Sequence, residues 1–296
     1  MTRRRWYLVL LLALSSAGLI TEAEESREKG ARLNLFVSIL PQVYFVERVG
    51  GDLVDVEVLV GPGQSPATLD LTPRKVARLS QADTYFRIGV PFEQRLVDKI
   101  IAGFPDLPVI DTRRGIELRV MADDHHDHHH HGTDPHIWLD PQLVKIQAAT
   151  ICDQLCRLDS AHALIYRGNL AAFEADLDSI DAEIARLLAP WRDSRFYVFH
   201  PSYGYFADAY GLQQVAVEQA GKEPGGRQLT ALVEQARQDS VKIIFVQAQF
   251  SSSGAEAIAT AIGGQVVLLD PLAQDYLNNL RDMAHKISQG LTGRAG

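Results

Sequence analysis

Beyond about residue 32 the chain alternates short apolar runs with stretches whose apolar positions recur every three or four residues. The runs at 33–38, 55–60, 84–88 and 108–110 predict strands, and the spacing over 42–49, 74–81 and 92–101 predicts helices between them. Strands that alternate with helices build βαβ units and a mostly parallel sheet. The alternation then breaks at a polar gap from Ala122 to Pro135. Asp140-Pro141 follows, a side-chain cap before a proline at the first helical position, and predicts a helix to about Leu158. Asp159 and Ser160 offer a second cap. After them Leu164, Leu170, Phe173, Leu177, Ile180, Ile184 and Leu187 recur at helical intervals until Pro190. A helix of almost thirty residues would span roughly 45 Å, which makes it a candidate strut between two lobes.

The strand–helix alternation restarts after the strut. Strands are predicted at 196–199, 213–217, 242–246 and 265–269, and helices at 203–210, 230–238, 254–262 and 276–289. The expected fold class is therefore α/β: two similar lobes, each with a mostly parallel sheet, bridged by a long helix. The expected divisions are a leader over 1–23, a first lobe over 24–140 with a histidine-rich loop at 123–132, a helical linker over 141–190 and a second lobe over 191–296. The two halves show no convincing sequence repeat. Neither G-x-G-x-x-G nor G-x-x-x-x-G-K-[ST] occurs, which argues against a dinucleotide or P-loop site.

Composition narrows the function classes. In 296 residues, 46% are hydrophobic and 22% charged, so a sizeable core can form and whole-chain disorder is excluded. The formal net charge of −8 lacks the basic surface that nucleic-acid binding needs. The N-terminus has Arg3, Arg4 and Arg5, an apolar run over 6–14 and then Ser15, Ser16, Ala17 and Gly18, the pattern of a secretory signal peptide. Cleavage after Ala17 or Ala23 is expected, with no cysteine nearby for a lipid anchor. The later cut removes three arginines and one glutamate and takes the net charge from −8 to −10. The expected product is a soluble, exported monomer of a bacterial periplasm. Cys152 and Cys156, the two cysteines, stand four apart on a predicted helix. They read as small buried residues, as a strained disulfide or as metal ligands.

Four segments carry candidate chemistry. The first is the run His125, His126, His128, His129, His130 and His131, with one aspartate inside it. Imidazole suits zinc, copper and nickel, and dense histidine in a loop offers several interchangeable auxiliary sites. The second is Asp134-Pro135-His136-Ile137-Trp138-Leu139-Asp140-Pro141. In the third, Phe199-His200-Pro201-Ser202-Tyr203-Gly204-Tyr205, His200 ends an apolar strand, where ligands gather in open α/β sheets. The fourth is Leu268-Leu269-Asp270-Pro271-Leu272, another polar residue at a strand end. His136, His200 and Asp270 would supply three ligands of a tetrahedral zinc site.

In order and spacing these motifs, with Val60-Gly61-Pro62-Gly63-Gln64-Ser65-Pro66 before them and Gly221-Lys222-Glu223-Pro224 between the third and fourth, resemble the periplasmic zinc/manganese-binding proteins of ABC importers. The resemblance covers about 33–287. It implies two lobes bridged by one rigid helix, metal held in the cleft between them, and docking on an ABC permease of the inner membrane. A periplasmic metallochaperone is a further candidate partner. By motif, His136, His200 and Asp270 match three of four usual ligands, and a histidine at the second of these resembles the zinc-type members rather than the manganese-type. The chain departs at the first-lobe position: where the family pattern has a histidine, this sequence has Ala67, which has no donor atom. Water, a histidine of the 125–131 run, or a neighbour such as Gln64 or Asp70 would fill the fourth place. Two alternatives stand beside capture and delivery of zinc. One is a metal buffer, chaperone or adhesin acting through the histidine run. The other is a zinc hydrolase, against which stands the lack of an H-E-x-x-H motif.

Overall fold

The computed structural model describes residues 32–121, 132–218, 224–250 and 253–293. The expected leader, the histidine run and Glu223 lie outside the described residues. The first lobe runs β1 (Leu33–Val37), α1 (Leu40–Gly50), β2 (Val54–Val58), α2 (Pro73–Leu79), β3 (Thr84–Arg87), α3 (Pro91–Gly103) and β4 (Val109–Asp111). The strands are parallel and lie in the order β2-β1-β3-β4, with Leu33 beside Val54, Leu35 beside Thr84 and Tyr85 beside Val109.

Two helices follow, α4 (Pro141–Leu158) and α5 (Ala163–Leu188). The Asp140 carboxylate caps α4 by accepting from Gln142 N–H at 2.8 Å, as its place before Pro141 predicts. The second predicted cap is not made. Asp159 closes the end of α4 instead, and its carboxylate accepts from the His162 ring at 2.6 Å and from the Tyr166 hydroxyl at 2.8 Å. A separate turn of 3-10 helix therefore intervenes over Ser160–His162, and α5 has 26 residues, shorter than its pattern suggested.

The second lobe runs β5 (Arg195–Val198), α6 (Gly204–Tyr210), β6 (Gln213–Ala216), α7 (Gly226–Gln238), β7 (Ile243–Val246), α8 (Ser253–Ile262), β8 (Gln265–Leu268) and α9 (Tyr276–Leu291). Its parallel order, β6-β5-β7-β8, repeats that of the first lobe. So the α/β architecture of two similar sheets stands, and the likeness of the halves is one of topology rather than of sequence.

The strut buries Tyr166, Phe173, Leu177, Ile180, Ile184 and Leu188 along one stripe. Phe173 meets Tyr44 and Phe45 of α1, and Phe45 meets Tyr276 of α9 edge-on at 4.8 Å. One continuous apolar cluster thus joins the first sheet, both linker helices and one face of the second sheet, while a smaller cluster fills the other face under α7 and α8. Arg48 pairs with Asp176 at 2.6 Å and Arg281 with Glu183 at 2.7 Å, one tie from each lobe to α5. Both cysteines on α4 are free, with sulfurs 4.0 Å apart, so the disulfide is not formed; Cys152 is buried, as the small-residue reading has it, and Cys156 is half-buried. Burial lifts the Cys152 thiol to about 12 and keeps it protonated. Among the described residues no helix is long and apolar enough to cross a membrane.

Candidate metal centre

In a sheet of this order the chain leaves the two central strands in opposite directions, which opens a crevice beyond their carboxyl ends. In the first lobe the crevice lies between the ends of β1 and β3, and the protein fills it with Glu93 of α3. That carboxylate accepts from Ser38 Oγ at 2.6 Å, Ile88 N–H at 2.9 Å and Gly89 N–H at 2.7 Å, and it is fully buried. Burial pushes its pKa up against these hydrogen bonds and the Arg87 charge.

In the second lobe the equivalent crevice lies between β5 and β7, and His200 stands at it, two residues beyond the end of β5. Gln247, just past β7, holds the His200 backbone on both sides: its Nε2 donates to the His200 carbonyl at 2.8 Å and its Oε1 accepts from the His200 N–H at 3.3 Å. Phe250 stacks on the imidazole at 4.6 Å and 21°. Glu218, just past β6, accepts from His200 Nδ1 at 2.5 Å.

His136 arrives from the other side. It precedes the 3-10 turn Ile137–Leu139 that leads into α4. Asp134 Oδ1 accepts from both its backbone N–H, at 3.0 Å, and its ring Nδ1, at 2.7 Å. The two imidazoles lie edge to face with centroids 5.4 Å apart. An ionised carboxylate accepts only, so each ring presents Nδ1–H to its partner, and in the neutral ring the lone pair then lies on Nε2. Among the described residues no hydrogen bond occupies either Nε2. A carboxylate behind each imidazole also orients a histidine for metal ligation. Burial lowers the His136 pKa below 6.5, with Asp134 opposing, so the neutral ring is the form present near pH 7.

Asp270, past the end of β8, is less advanced. Its Oδ1 accepts from Leu272 N–H at 2.9 Å and from Gln249 Nε2 at 3.2 Å. Trp138 ties its turn to the His136 segment by donating Nε1–H to the Pro271 carbonyl at 2.7 Å, with its ring 5.1 Å from that of His136. Among the described residues, no three histidine, cysteine, aspartate or glutamate side chains are grouped so as to hold an ion. The structure therefore brings His136 and His200 together and leaves Asp270 held by its neighbours. Ala67 sits in an exposed turn with its N–H on Ser65 Oγ, and Gln64 Oε1 accepts from Gly61 N–H.

Glu218, Gln247, Gln249 and Phe250 were not singled out from the sequence. Glu218 ends an apolar run, the same signal that picked out Asp270. Gln247 likewise ends the apolar run of β7, whereas Gln249 and Phe250 carried no comparable signal.

A two-lobed parallel α/β protein with a helical strut and carboxylate-backed imidazoles at one crevice is, by class, a metal-binding solute carrier. The profile of the family described as "Zinc-uptake complex component A periplasmic", ZnuA, matches residues 35–290, and the chain belongs to that family, the zinc-type solute-binding proteins of ABC importers. It is 30% identical to the high-affinity zinc uptake system protein ZnuA of Paracoccus denitrificans over 301 aligned positions, covering 89% of each chain. A crystal structure of a ZnuA superposes with a TM-score of 0.83 at 41% identity, over 88% of this chain and 99% of that one. A zinc-bound ZnuA deletion mutant superposes with 0.82 at 41% identity, over 90% and 99%. Zinc is the ion this family carries, and its members act outside the cytoplasm with an ABC permease.

Proposed function

We propose that this chain takes up zinc on His136 Nε2, His200 Nε2 and the Asp270 carboxylate, and delivers it to a permease of the inner membrane. The observation that carries the reading is the pair of imidazoles, each with Nδ1 committed to a carboxylate and Nε2 left open, 5.4 Å apart at the second lobe's crevice. Asp270 joins them when its turn shifts and the carboxylate leaves Gln249. The fourth position goes to water or to a histidine of the 125–131 run, because Ala67 offers no donor. The 1–23 segment exports the chain to the periplasm, and the divisions at 24–140, 141–190 and 191–296 separate lobe, linker and lobe.

Zinc titration of the metal-free protein, alongside His136→Ala, His200→Ala and a variant lacking 123–132, tests this. One tight zinc is expected in the parent and in the loop deletion, with its affinity reduced at least a hundredfold in each histidine variant. Loss of tight binding in the loop deletion, with binding intact in the histidine variants, would move the site to the loop and favour the buffering role.

A further inference from the structure

Arg119, in the segment that leads into the polar stretch from Ala122 to Pro135, is a residue that no motif marks. Arg119 and Asp134 face each other beside an antiparallel bridge between Val120 and Thr133, with Asp134 N–H on the Arg119 carbonyl at 2.8 Å. Both residues are locked to α6, the helix that follows His200. Arg119 N–H donates to Tyr205 Oη at 2.8 Å, and Tyr205 Oη donates to the Asp134 carbonyl at 3.1 Å. Arg119 Nη1 donates to the Gly204 carbonyl at 3.0 Å and pairs with Asp208, and the guanidinium lies over the Tyr205 ring. Its Nε is buried without a hydrogen-bond partner, 3.8 Å from Asp134 Oδ2. The approach is close: a Cβ at 204 would lie 2.8 Å from Asp134 Oδ2 and 3.0 Å from Arg119 Nε, so any side chain there would push these groups aside.

These contacts divide unequally. Asp208 is largely exposed, and an exposed pair contributes little. Asp134 is buried, and a buried carboxylate needs a compensating charge. Among the described residues Arg119 is the one cation paired with it. Asp134 in turn is the group that fixes the proton of His136 on Nδ1. We propose that Arg119 is a positioning residue of the metal centre: through Asp134 it holds His136 in its ligating tautomer, and through Gly204 and Tyr205 it ties that ring to the helix that follows His200. The proposal rests on His136 being a ligand, as put forward above. Without the guanidinium, Asp134 turns away from His136, the ring is free to carry its proton on Nε2, and the two imidazoles lose their common frame.

The test is zinc affinity of the full chain by chelator competition for the parent, Arg119→Gln, Arg119→Lys, Asp134→Asn, the Arg119→Gln/Asp134→Asn double variant and His136→Ala. Removing such an outer partner typically costs about 10–100-fold in metal affinity. That loss is expected for Arg119→Gln at unchanged stoichiometry, with partial recovery in Arg119→Lys and altered visible bands of the cobalt-substituted protein. The double variant should lose less than the sum of the two single losses, because both changes cut the Asp134 route and only the tie to Gly204 is left to lose separately. Parent-like affinity in Arg119→Gln, or additive losses in the double variant, overturns the proposal. Parent-like affinity in His136→Ala instead takes down the assignment of His136 itself, and the proposal with it. If Arg119→Gln does not fold, Gly204→Ala decides, since its Cβ crowds the same contact: parent-like affinity in that variant overturns the proposal.

Discussion

An imidazole whose Nδ1 proton is held by a carboxylate has one lone pair left, and in this chain that is true of both His136 and His200. Charge and solvent then set the pH at which the lone pair is available. Burial lowers the pKa of His136 below 6.5, and the Asp134 hydrogen bond and charge recover part of the shift. Its folded value is thus below its unfolded one. The stability linked to this ring is complete above about pH 6.5 and is lost as the pH falls through the folded value. In the metal-free protein the His136 ring signals in a two-dimensional NMR titration should move with a midpoint below 6.5; a midpoint at or above that value contradicts the burial argument. Glu218→Gln should cost about 10–100-fold in zinc affinity, because the amide no longer sets the His200 tautomer. Chelator competition reads this directly, and unchanged affinity would show that Phe250 and Gln247 position the ring unaided. His200 stood out in the sequence because it ends an apolar strand, and His136 because its motif matches the family pattern. Their carboxylates did not stand out as partners, since Glu218 reaches His200 only through the pairing of β5 with β6.

Among the elements, α5 shows how far periodicity can be trusted. Its apolar spacing correctly marked Phe173, Leu177, Ile180 and Ile184 as one buried face. Leu164 continues the pattern and lies in α5, yet it is 83% exposed, so the spacing overstated the buried face there. The Asp159 carboxylate, taken up by His162 and Tyr166, makes the break that hydrophobicity alone missed. Phe173 is the point on this helix where both lobes converge, through Tyr44 and Phe45 on one side and, through Phe45, Tyr276 on the other. Phe173→Ala should destabilise the protein by about 3–5 kcal/mol. Denaturant unfolding checks this, and a loss under about 1 kcal/mol would mean that the junction closes around the cavity. Strand positions were more legible than helix ends, because a buried parallel strand is a short apolar run bounded by turns, whereas a helix end depends on which side chain caps it.

For the whole molecule, an ion bound by the folded protein and not by the unfolded chain stabilises by mass action. Zinc at a hundred times its dissociation constant adds about 2.7 kcal/mol, so Tm should rise with zinc at neutral pH and fall back on chelation. A Tm indifferent to saturating zinc would contradict a site formed only by the fold. The α/β class, the eight strand positions and the two histidine motifs follow from the sequence by itself, because hydrophobic period and strand-end chemistry are local properties. The family pattern of motifs also exposed the missing donor at Ala67. Only the tertiary structure decided the rest: the repeated strand order, the filling of the first lobe's crevice by Glu93, the carboxylates behind each imidazole, and the lock of Arg119 and Asp134 on α6. These depend on which strands pair and which crevice each loop enters; Glu218 meets His200 across 18 positions and Tyr205 meets Arg119 across 86, pairings that no local pattern connects.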